Sequence, residues 1–191
     1  MTNKIINDII IIEKEREVVK MVKGYKALNK AVSAQLKPFG IKECRCSDDY
    51  SYLYEKEIIT FKLTENTIED RYFLEFIKDR FNYVPKYPFI FSLLHEVGHH
   101  KTMEDICDSI YDFCETEKER IETEMNVTTD MRKCKKLEFQ YFSLPDEILA
   151  TNWAVQYSKT HPRTIEKMWN EIVNALQNFY LINGLYESEE N

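Results

Sequence analysis

Only 4 glycines and 5 prolines punctuate this chain of 191 residues, so turns are few and the segments between them must be long. Tightly turned sheets need glycine and proline repeatedly, whereas long helices do not. The pattern therefore excludes an all-β sandwich or barrel and predicts a mainly α chain of the α+β class. Hydrophobic residues at 43% suffice for the core of one domain. The 33 acidic residues outnumber 26 basic ones, giving a net charge of −7 that repels phosphate backbones and argues against direct nucleic-acid binding.

Apolar residues recurring every three to four positions predict a long amphipathic N-terminal helix over 5–36, interrupted at Gly24, and further helices over 67–81, 103–125 and 164–182, while apolar composition predicts a mostly buried helix over 89–101. Another helix is predicted from a Ser143 cap, through Leu144 and Pro145, to an end at His161 and Pro162. Residues 37–49 read as a connecting loop and 126–136 as a polar stretch. Alternation and β-branching over 52–63 predict a strand. These signals divide the chain into a helical extension and loop over 1–46, one domain over 47–186 and a frayed tail over 187–191. The most apolar run, 88–94, is far short of the roughly 20 residues that cross a bilayer. With no secretion signal behind the opening isoleucines and five scattered cysteines, an odd number, the expectation is a cytoplasmic protein with reduced thiols.

The segment LLHEVGHH contains H-E-x-x-H on a predicted helix. At i and i+4, His95 and His99 leave the same helix face, within reach of one Zn²⁺. Glu96, one residue further round, is placed to take a proton from water activated by the metal, so it is the candidate general base. Gly98 allows another backbone to come close. Burying two histidines and a glutamate on one face costs several kcal/mol unless something pairs them, and a divalent ion does so.

A catalytic zinc site takes a third protein ligand and leaves a position to water. An extended H-E-x-x-H-x-x-G-x-x-H motif would need glycine at Thr102 and histidine at Asp105, and neither is present. A carboxylate from a later helix is the other solution. Glu147 is the best placed, in an E-x-x-A-x-x-W-A pattern whose alanines permit close helix approach; Asp146 and Asp130 are alternatives. His161 and Tyr157 are candidates for stabilising an oxyanion. His100 reads as a surface or supporting residue, and Cys107 and Cys114, seven apart, as small buried apolar residues.

PFIFSLLHEVGHH followed by EILATNWA resembles the ImmA/IrrE-type metallopeptidases of bacteria, mobile elements and phages, over roughly 58–157. The resemblance implies a zincin-like helical domain with a small sheet beside the H-E-x-x-H helix, zinc held by His95, His99 and Glu147, and Glu96 as the catalytic residue. It also implies a protein substrate, in that family a helix-turn-helix repressor. The chain departs from the pattern in the long interval from His99 to Glu147, in Leu149 at a usually acidic position, and in its N-terminal helix.

Two functions follow as expectations. One is a zinc-dependent endopeptidase whose substrate adds as a strand to a sheet edge at 57–63. The other is a non-catalytic regulatory or interaction protein of a phage or mobile element, in which His100 or Cys107 closes a structural metal site, the site is vestigial, or the N-terminal helix docks on a partner.

Overall fold

The computed structural model describes residues 25–63 and 68–182. Helix α1 occupies 25–36 and turns Leu28, Val32 and Leu36, one residue per turn, wholly into the core. The expected helix over 5–24 and its break at Gly24 lie outside the described residues.

The expected loop at 37–49 instead contains strand β1, Glu43–Cys46, after a 3-10 turn at Lys37–Phe39 and Gly40 in the left-handed region at φ 97°. Its alternation spans only four residues, with Cys44 buried between exposed Glu43 and Arg45. The single strand expected at 52–63 is two, β2 at Ser51–Leu53 and β3 at Ile58–Phe61, separated by the turn Tyr54–Lys56 and Glu57 at φ 52°. Strand order is β1-β3-β2, with β3 parallel to β1 and antiparallel to β2.

This order corrects the docking edge expected at 57–63. β3 is central, both its sides are paired, and it cannot accept another strand. The outer side of β1 is also covered, because Ser33 Oγ and Asn29 Oδ1 of α1 accept from the Cys44 and Cys46 amides. Among the described residues, only β2 presents an edge that neither a strand nor α1 covers.

Helices α2 (Ile68–Phe81), α3 (Pro88–Thr102), α4 (Asp108–Val127), α5 (Met131–Tyr141), α6 (Pro145–Thr160) and α7 (Pro162–Ile182) complete the described chain. Several differ from expectation. Residues 103–107 form a 3-10 turn and linker, so α4 starts late; Ile110 and Phe113 are exposed, while Cys114 and Ile121 face inward. The polar stretch at 126–136 holds the start of α5, whose charged first turns hide its buried Leu137. Ser143 does not cap α6: its hydroxyl donates to the Phe139 carbonyl, Leu144 takes the cap position, and Pro162 opens α7.

One buried cluster joins α1, the sheet, α3, α6 and α7 through residues such as Leu28, Phe61, Leu94, Val155 and Ile172, so the core crosses the boundary expected at 46/47. Among the described residues no helix is long and apolar enough to cross a membrane.

Candidate metal centre

α3 and α6 pack closely where each presents a small residue. A Cβ built on Gly98 would lie 2.8 Å from Ala150 Cα and overlap the Ala150 carbonyl oxygen. His95 stands three residues before Gly98 and Glu147 three before Ala150, so this contact carries both functional side chains to one point. His95 Nε2 lies 3.1 Å from Glu147 Oε2, and His99 Nε2 lies 3.5 Å from Glu147 Oε1. Ligand atoms of the three residues fall within 4.8 Å of one another, and the buried group could hold a metal ion.

Neighbouring side chains fix this arrangement. Thr151 Oγ1, one turn beyond Glu147, lies 3.1 Å from His95 Nδ1 and leaves Nε2 facing the carboxylate. Phe73 sets its ring edge against His95, with centroids 5.1 Å apart. Lys118 reaches in from α4, its Nζ 2.8 Å from Glu147 Oε1 and 2.5 Å from Asp146 Oδ2, beneath the Tyr141 ring. Burial alone would raise the Glu147 carboxyl, but His99, His95 and Lys118 outweigh it and hold the group well below the ordinary carboxylate range. Burial also opposes the Lys118 charge, yet Glu147 and Asp146 keep the ammonium above its ordinary value.

Glu96 is only 6% exposed, lines the same cleft and accepts no hydrogen bond among the described residues. Burial pushes its carboxyl up to about 7, with His95 opposing and Glu147 reinforcing the rise. The cleft encloses about 640 Å³ between α3, α4, α6 and the β2 edge, where Tyr50, Ser51 and Tyr52 form part of its wall.

The other sequence candidates fall elsewhere. Asp130 is exposed and caps α5, accepting from the amides of Arg132 and Lys133. Asp146 is buried beside Glu147, with Oδ2 on Lys118 and Oδ1 lacking a hydrogen-bond partner. His161 and Tyr157 are not brought to the cluster. They stack on each other at 4.3 Å at the far end of α6, where Tyr157 also stacks on Trp153. His100 turns to the sheet, its Nδ1 2.6 Å from Tyr52 Oη and its Nε2 against Gly40, and so ties β2 to α3. Cys107 is exposed at the start of α4 rather than buried, whereas Cys114 is buried.

Lys118 and Thr151 are the neighbours that sequence reasoning missed. Thr151 had a signal, since it lies one turn after Glu147 on the same helix face; Lys118 had none, because an unplaced α4 gives its lysine no direction. No protein-family model, curated protein or solved structure matches the chain.

Proposed function

We propose that this chain is a zinc-dependent endopeptidase of zincin-like fold acting on a protein substrate. The observation that carries the reading is the convergence of two imidazoles and a carboxylate from a separate helix on an open cleft, with unpaired Glu96 beside them. Two histidine nitrogens and one carboxylate oxygen suit a catalytic zinc site, which keeps a position for water. His100 and Cys107 engage other partners, which weighs against a closed structural site.

A zinc ion held by His95, His99 and Glu147 would polarise a carbonyl and acidify water. Glu96 takes the proton of the attacking water and returns it to the leaving amine. Thr151 holds the His95 ring in place, and Lys118 supplies the fixed countercharge of Glu147. The substrate main chain extends along the free edge of β2, which borders the cleft, in place of the central strand expected from sequence. The resemblance to ImmA/IrrE-type peptidases supports a transcriptional repressor as that substrate.

The test compares the zinc-loaded chain with Glu96→Gln on an unfolded protein substrate, with zinc content measured in both. The native chain is expected to cleave, and the variant to bind the same zinc while losing on the order of 10²–10⁴-fold in rate. Equal cleavage by both, or a native chain that takes up no zinc, overturns the reading.

A further inference from the structure

The walls of the cleft carry nine carboxylates against two lysines. Neither lysine offers spare positive charge: Lys62 pairs with Asp70 at 2.7 Å, and Lys118 is held between Asp146 and Glu147. The acids come from separate elements. Asp48 and Asp49 lie between β1 and β2, and Glu115 and Glu122 stand two turns apart on α4. Asp48, Asp49 and Glu122 are exposed and meet no cation among the described residues.

A second observation marks the cleft as built for a ligand. Glu96 is more than nine-tenths buried yet turns an unpartnered carboxylate into it, an arrangement that folding alone disfavours. The free edge of β2 beside it offers main-chain hydrogen-bonding groups to an incoming strand.

We infer that the substrate segment entering this cleft is an extended peptide rich in lysine or arginine, an inference that rests on the peptidase reading above. Clefts lined by one sign of charge focus the field and raise the local concentration of the opposite charge. A strand laid along β2 turns every second side chain to one face, so cationic residues at alternate positions meet the acids of the β1–β2 connection and of α4. An acidic segment in the same place would be repelled and stripped of water among carboxylates.

The zinc-loaded Glu96→Gln chain, titrated by fluorescence anisotropy with two labelled peptides that differ only in lysine or glutamate at alternate positions, tests this. The lysine peptide is expected to bind at least about ten-fold tighter at low salt, with the gap closing as salt rises. Asp48→Lys combined with Glu122→Lys should shrink that gap, with unchanged zinc content showing an intact fold; the salt series on the unreversed chain decides the matter independently. Equal binding, tighter binding of the glutamate peptide or binding of neither overturns the inference. Cleavage by the chain with Glu96 in place is scored separately. Hydrolysis of both peptides at one rate removes the charge preference and spares the peptidase reading, whereas charge-selective binding without hydrolysis removes that reading alone.

Discussion

The Gly98 backbone of α3 lies against the Ala150 carbonyl of α6, with no room for a single methyl between them. This contact sets the distance between the helix that carries both histidines and the helix that carries Glu147. The obstructing atoms are main chain and cannot rotate aside as a side chain would. Gly98→Ala gains about 1 kcal/mol of helix propensity. It must also force the helices apart, which costs on the order of 1–3 kcal/mol or more where packing is tight. The expected outcome is a net loss of stability in urea denaturation, with zinc affinity down roughly ten-fold or more in competition with a chelator. A variant as stable and as zinc-avid as the native chain would show that the contact does not position the cluster.

The three carboxylates considered as third ligand now separate by environment. Glu147 faces both imidazoles, Asp146 faces Lys118, and Asp130 caps α5 in solvent. Glu147→Ala is expected to lose zinc under conditions that leave one equivalent on the native chain. Asp146→Asn should keep its zinc. Asp130→Ala should keep it too while losing about 1 kcal/mol with its cap. Elemental analysis of the three purified variants decides, and zinc retained by Glu147→Ala would transfer the ligand role to another carboxylate.

The helices that carry the cluster were legible from the apolar composition of α3 and the prolines at both ends of α6, and because Gly98 and Ala150 mark a close approach in a chain with few small residues. β1 was not: four residues are too few for alternation, and its stabilising partners, Ser33 and Asn29, come from another element. α5 was hidden because its first turns are charged and its buried face appears only further along. The placement of His161 and Tyr157 could have been settled from sequence. Ten to fourteen residues of helix separate them from Glu147, roughly 15 to 21 Å at the rise of an α-helix, too far to act on one oxyanion.

Four of the five cysteines, Cys44, Cys46, Cys107 and Cys114, divide by burial into reactive and inert. Burial pushes Cys44 up to about 12, and Cys46 and Cys114 up to about 11, whereas the Ser109 hydroxyl lowers exposed Cys107 below its ordinary value. The thiolate is the nucleophile, so near neutral pH alkylation is expected first at Cys107, roughly 100-fold or more ahead of Cys44. Raising the pH levels off the Cys107 rate once its thiolate is fully formed, while the buried thiols keep gaining about ten-fold per unit. Peptide mass spectrometry after timed iodoacetamide treatment at several pH values reads both effects. Cys44 modified as fast as Cys107 would mean that the β1 side of the core opens readily.

Lys118 gives the cluster a countercharge of its own, and that makes its contribution depend on metal. Its ammonium lies within hydrogen-bonding distance of both Asp146 and Glu147, with its side chain only 17% exposed. Lys118→Met leaves two adjacent buried carboxylates without their cation. Breaking a buried pair in this way costs about 3–5 kcal/mol. On the proposed ligation, zinc at Glu147 would replace much of the missing charge, so the loss should be smaller, by at least about 1 kcal/mol, when stability is measured with saturating zinc than in chelator. Urea denaturation of native and variant chains in both conditions closes the thermodynamic cycle. An equal loss with and without zinc would mean that Lys118 and the metal act on Glu147 independently.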